Sequence, residues 1–174
     1  GTIRHQKIFQ GTHSGPRTLR LSSLRPRVML VTSACLTEDA AHLPAVKPVD
    51  VQLAELHGSL LKVLHSLDCE VLFKPHPKGR IQPTDFFEGH FNELVPGHFN
   101  PILYNVDAYI FDYAGSAFFD SLASATGVIL IDTGLRPFDR TTLPDLHKRC
   151  FLVPATTDET NQFQIDGQVL SQAI

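Results

Sequence analysis

The sequence predicts a single α/β domain built on a doubly wound parallel sheet. Three observations carry that expectation. Short apolar, β-branched runs recur along the chain, and each ends in small polar residues, proline or aspartate, as a buried parallel strand does where it meets a loop. Helix-patterned stretches alternate with these runs, the signature of strands joined by crossover helices. At 174 residues, with 43% hydrophobic and 19% charged residues, the chain suits one sizeable core and is too apolar to be largely disordered.

Residues 1 to 26 are polar, contain Gly11, Gly15, Pro16 and Pro26, and show no sustained period, so they read as a lead-in or linker to a domain over 27–174. Arg27 to Ser33 is the first strand. The stretch from Leu36 to Pro48 holds two prolines and reads as a loop at that strand's carboxyl end. From Asp50, placed as an N-cap, Val51, Leu53, Ala54, Leu56, Leu60, Leu61, Leu64 and Leu67 recur at three- and four-residue spacing, which predicts the strongest helix of the chain. Cys69 to Phe73 is a second strand, stopped by prolines that cannot extend a ladder. Thr84 to Leu94 reads as a short helix and Gly97 to Pro101 as a turn. Ala108 to Phe111 is a strand, Ser116 to Ala125 a helix, Gly127 to Asp132 a strand, Cys150 to Val153 another strand, and Gln162 to Ile174 a final helix.

Several classes are disfavoured. No apolar run approaches the roughly 20 residues that span a bilayer. The chain opens at Gly1 with no signal sequence, which reads as a piece of a longer protein in the cytoplasm, at most peripheral to the inner membrane face. Cys35, Cys69 and Cys150 are widely spaced and form no CxxC pair, so they read as buried free thiols. The net charge of −3 hides an asymmetry. Residues 1 to 37 carry Arg4, Lys7, Arg17, Arg20, Arg25 and Arg27 without one acid. That leader lacks the interleaved aromatics of a single-strand binder, so no nucleic-acid partner is expected. A solvated linker or a contact with a partner domain is favoured over a dedicated anion site.

In doubly wound sheets ligands bind beyond the carboxyl ends of the strands, and two turns stand there. In the first, Lys74-Pro75-His76-Pro77, prolines on both flanks restrict His76 to an extended backbone and hold its imidazole out near Lys74 and Lys78. That suits a diphosphate, or protonation of a leaving phosphate oxygen. The alternative is a strand exit whose histidine bonds only to backbone. The second, Asp112-Tyr113-Ala114-Gly115-Ser116, enters a helix through small residues that let backbone approach a ligand, with Asp120 one turn on. Phosphate at Ser116 and a ribose or polyol hydroxyl at Asp120 would fit. An ordinary N-cap serine is the alternative. The turn is not a GxGxxG fingerprint, which argues against dinucleotide binding.

Together the two turns resemble a family. Lys74-Pro75-His76-Pro77 and Asp112-Tyr113 to Ser116, followed by Phe119-Asp120, are similar to the carboxyl-terminal half of CDP-glycerol glycerophosphotransferases and capsule-type glycosyltransferases, whose signature is approximately K-P-H-P and then T-D-Y-S-S-x-x-F-D. The resemblance covers residues 27 to 155. It departs at Phe111, where the family has threonine, and at Ala114-Gly115-Ser116, which replaces paired serines with a one-residue insertion.

The resemblance implies a Rossmann-like sheet forming one half of a GT-B architecture. It implies an enzyme fragment, the donor-binding half of a transferase for surface polysaccharide or teichoic-acid-like polymer, inactive or weakly active alone. Lys74 and His76 would be the catalytic residues, facing the donor phosphates, with His76 in the more direct leaving-group role. Ser116, Gly115, Asp112 and Tyr113 would line the pyrophosphate site and Asp120 the sugar or glycerol portion. The substrate would be a CDP-, UDP- or CMP-linked donor, with no further cofactor. A missing amino-terminal domain would hold the acceptor, a membrane-associated polymer. A sugar-nucleotide 2-epimerase and a non-catalytic α/β binding module are the alternatives.

Other residues carry weaker signals. His90 and His98, near Glu88 and Glu93, invite a metal reading, but neither HExxH nor a close histidine pair is present, so no metal is expected. His57 and His65 fall on the long helix and read as surface or partly buried. Asp132-Thr133-Gly134 reads as a turn after a parallel strand, able to line the same cleft.

Overall fold

The computed structural model describes residues 25–34, 50–79, 87, 89–134, 138–160 and 162–174. The elements are β1 (Arg27–Val31), α1 (Asp50–Ser66), β2 (Glu70–Lys74), β3 (Glu93–Leu94), β4 (Ala108–Phe111), α2 (Ser116–Leu122), β5 (Gly127–Asp132), α3 (Leu143–Leu146), β6 (Phe151–Thr157), β7 (Phe163–Ile165) and α4 (Gly167–Ala173). They form one seven-stranded sheet in the order β3-β2-β1-β4-β5-β6-β7. Every pairing is parallel except β6 with β7, which is antiparallel. The architecture is α/β, and its strand order is compatible with a Rossmann-like fold, in which β1 and β4 flank the point where chain progression reverses.

The period-two alternation of the strands builds two cores. Val28 and Leu30 of β1, Val71 and Phe73 of β2, Ala108 and Ile110 of β4, and Ile129 and Ile131 of β5 pack against Leu56, Leu60, Leu61 and Leu64 of α1 and Leu170 of α4. The intervening residues, Met29, Leu72, Tyr109, Phe111, Val128 and Leu130, pack against Phe118 and Leu122 of α2 and Leu146 of α3. Helices therefore cover both faces, which is why the central strands read as continuous apolar runs rather than alternating ones. Burying each of these large side chains contributes roughly 1.5–3 kcal/mol, so the centre of the sheet is the stable frame of the molecule.

The amino-terminal ends of the strands are tied by ions. Arg27 reaches Glu70 at 3.1 Å and Glu93 at 3.0 Å, and Arg25 pairs with Asp68 at 3.3 Å. Arg25 and Arg27 are thus engaged within the domain, at the opposite end of the sheet from the two turns. Among the described residues no helix is long and apolar enough to cross a membrane.

Several sequence expectations change. Asp50 is the first helical residue of α1 rather than its N-cap. Glu93 and Leu94 are not the end of a helix but an edge strand beside β2. The expected final helix begins only at Gly167, capped by Asp166 through the Gln168 and Val169 amides, because Phe163–Ile165 pairs with β6. Strand β6 runs on to Thr157, past Val153. The loop expected over 36–48, most of the helix expected from Thr84, and residues 1–24 lie outside the described residues.

Candidate functional site at the carboxyl ends of the central strands

Because β1, β2 and β4 are parallel neighbours, their carboxyl ends open on one side of the sheet. A cleft of about 450 Å³ lies there, lined by residues 31–34 at the end of β1, 74–78 at the end of β2, 98–99 after β3, and 111–113, 115–118 and 120 across the β4–α2 turn. Both turns picked out in the sequence meet in it. Lys74, His76, Lys78, Asp112, Tyr113, Gly115, Ser116 and Asp120 all contribute to its wall.

Lys74 is the last residue of β2, and the pleat places it on the same face as Leu72, under the segment that follows β3. Its side chain is 1% exposed. The ammonium donates to the Gly97 carbonyl, and among the described residues no carboxylate lies within ion-pairing distance of it. Burial holds its pKa below the ordinary lysine value. Gly97 itself sits at φ +81°, a left-handed conformation that glycine adopts without a Cβ penalty, and it delivers His98 and Phe99 to the cleft wall.

His76 is exposed, as its flanking prolines suggest. Its Nδ1 accepts the Lys78 amide at 3.1 Å, and its carbonyl accepts the Gly79 amide at 2.9 Å. With Nδ1 as acceptor, a neutral ring carries its proton on Nε2, the tautomer that can donate to an anionic oxygen.

On the second turn, Ser116 and Asp120 are exposed along the cleft, at the start and the middle of the seven-residue α2. Gly115, not Ser116, is the N-cap, and no side chain caps the helix. A Cβ at Gly115 would stand 3.2 Å from Cδ1 of Tyr113, so glycine is what lets that ring fold back over the turn.

Asp112 behaves differently from its neighbours. Its carboxylate is buried and, among the described residues, accepts four hydrogen bonds: the Ser33 amide at 2.8 Å to Oδ1 and 3.0 Å to Oδ2, the Ser33 hydroxyl at 2.8 Å, and His57 Nε2 at 2.7 Å. Burial alone would raise its pKa. The bond to His57, the charge of that ring and both Ser33 donors outweigh burial and hold the carboxyl below the ordinary aspartate value.

His57 is therefore not a surface histidine. It is 3% exposed and makes an edge-on contact with Phe87. The signal was present in the sequence: His57 stands four residues after Leu53 and three or four before Leu60 and Leu61, within the buried stripe of α1. Ser33, His98 and Phe99 carried no comparable signal. They join the site because β1 and β3 flank β2.

Asp132 and Thr133 line a second hollow of about 180 Å³ beyond β4 and β5, which shares Asp112 and Tyr113 with the main cleft. The Asp132 carboxylate accepts the Gly134 amide at 2.9 Å, an Asx turn, as the triplet suggested. Among the described residues no group of three histidine, cysteine or acidic side chains is placed to hold a metal. No family model, no curated protein and no solved structure matches the chain.

Proposed function

We propose that this domain binds the phosphates of a nucleotide-activated donor, as the donor half of a GT-B-type transferase that moves a sugar or polyol phosphate to a growing surface polymer. The observation that carries the reading is Lys74. An ammonium withdrawn from water without a carboxylate partner among the described residues is costly, and an anion entering the cleft would supply the missing countercharge.

The neighbouring groups fit that ligand. His76 presents an Nε2–H donor, Lys78 adds a second cation beside it, and Ser116 and Asp120 line the opposite wall, where hydroxyl and carboxylate suit phosphate and sugar or polyol hydroxyls respectively. In the transfer, Lys74 and His76 would stabilise charge developing on the departing nucleotide phosphate, with His76 able to protonate it. The base that activates the acceptor would come from the acceptor-binding half. The paired motifs around Lys74 and Asp112 favour this transferase class.

Titration calorimetry with CDP, UDP, CMP and GDP tests the reading. One of them is expected to bind, and Lys74→Met, His76→Ala and Ser116→Ala should each weaken it. Absence of binding by all four at millimolar concentration would refute it.

A further inference from the structure

We propose that Asp112 is a specificity-determining residue that keeps phosphate away from the β1 exit and confines it to the Lys74 side of the cleft. The inference rests on the reading of the cleft as a phosphate site. In many doubly wound sheets the pyrophosphate lies at the exit of the first strand, held by backbone amides. Here the first two amides after β1, those of Thr32 and Ser33, are already engaged. The Thr32 amide donates to the Lys74 carbonyl at 3.1 Å, continuing the ladder, and the Ser33 amide donates to Asp112. The Ser33 hydroxyl is turned to the same carboxylate.

The charge distribution follows from the pleat. Lys74 shares a sheet face with Leu72, and Asp112 follows Phe111 onto the opposite face, towards α1. Both line one cleft, so its two sides carry opposite buried charges. His57 lies behind Asp112, within the core, and is not part of the cleft wall. The carboxylate is the end of that pair which a ligand meets. A phosphate at the β1 exit would face a fixed like charge and find no amide to receive it from Thr32 or Ser33. A phosphate beside Lys74 would meet a cation on the α2 face. Asp112 thus stands as an internal anion at the switch point, with His57 as the residue that positions it.

Inorganic pyrophosphate titrated into the full chain by calorimetry tests this. Asp112→Asn keeps the size of the side chain and an acceptor for Ser33 but removes the charge. It should bind pyrophosphate at least about tenfold more tightly than the unaltered chain. Equal or weaker binding by a folded Asp112→Asn chain overturns the proposal. In that case binding that Lys74→Met abolishes would leave the phosphate reading of the cleft standing. Absence of pyrophosphate binding in both chains overturns both. Amide resonances locate the anion without any variant. On titration of the unaltered chain, the Lys74, His76, Lys78 and His98 amide resonances should move while Ser33 stays nearly still. The largest shift at Ser33 would place the anion at the β1 exit and refute the assignment.

Discussion

Two buried charges at the carboxyl edge of the sheet have opposite consequences for stability. Asp112 is paired, so removing its partner is what hurts. His57→Leu leaves a desolvated carboxylate with, among the described residues, the Ser33 donors alone to satisfy it, and should lower the unfolding free energy by about 3–5 kcal/mol in urea titrations. Replacing both residues with apolar side chains should recover much of that loss; a His57→Leu cost below about 1 kcal/mol would mean the pair is structurally idle. Among the described residues Lys74 has no such partner, and its folded-state pKa lies below the unfolded value. The folded chain therefore gives up that proton first as pH rises, and Lys74 weighs against folding most at neutral pH. Its penalty should fade as pH climbs through the depressed value towards the ordinary 10.5. Thermal melts of the unaltered chain and Lys74→Met should accordingly converge with rising pH, the variant being the more stable at neutrality. A constant gap across the range would show that the ammonium is not desolvated.

At the scale of elements, what the sequence made legible depended on how much of an element's pattern was dictated by burial. The stripe of α1 and the apolar runs of β1, β2, β4 and β5 were readable because each packs against a core on a fixed period. Strand β3 was not, because a two-residue edge strand carrying exposed Glu93 has almost no period to show. Strand β7 was absorbed into the expected final helix: Phe163 and Ile165 stand two apart, a strand's spacing rather than a helix face's, but three residues are too few to show a period until β6 lies beside them. The site divides the same way. The Lys74–Pro77 and Asp112–Ser116 turns declared themselves by composition. The Gly97–Phe99 wall did not, because its place at the cleft depends on a bond from Lys74 to Gly97 that spans 23 residues. Gly97→Ala tests that link. Its positive φ makes the variant strained, with an expected loss of about 1 kcal/mol in denaturant titration. Because the same backbone carries His98 and Phe99 to the cleft, nucleotide affinity should fall with it, whereas Gly89→Ala, also at positive φ but away from the cleft wall, should cost stability alone.

Across the whole molecule, strand order was the property no local pattern could supply. The sequence predicted a parallel sheet, but that β1 lies between β2 and β4 follows only from the assembled pairing, and it is this order that gathers four separated segments into one cleft. The same order asks whether the two halves of the sheet, β3-β2-β1 and β4-β5-β6-β7, unfold together. Two cysteines report on the halves separately. Cys69 precedes β2 and Cys150 precedes β6; both are buried, and burial pushes their thiols up to about 11 and about 12. At neutral pH neither offers appreciable thiolate in the folded chain, so a thiol reagent should reach them only through opening. The cores on both faces run without a break from β1 and β2 across β4 to β5, with Val28, Phe73, Ile110 and Ile129 in one cluster and Met29, Leu72, Tyr109 and Leu130 in the other. One cooperative unit is therefore expected. In a Cys35→Ser chain pulsed with iodoacetamide, the peptides carrying Cys69 and Cys150 should label at the same rate at each urea concentration. Faster labelling at Cys150 would show that the β5–β6 half opens alone. A nucleotide held across the β1, β2 and β4 exits should slow both sites by one factor, since a ligand bound only to the folded state stabilises the whole unit; slowing at Cys69 only would confine the ligand's grip to the β2 side.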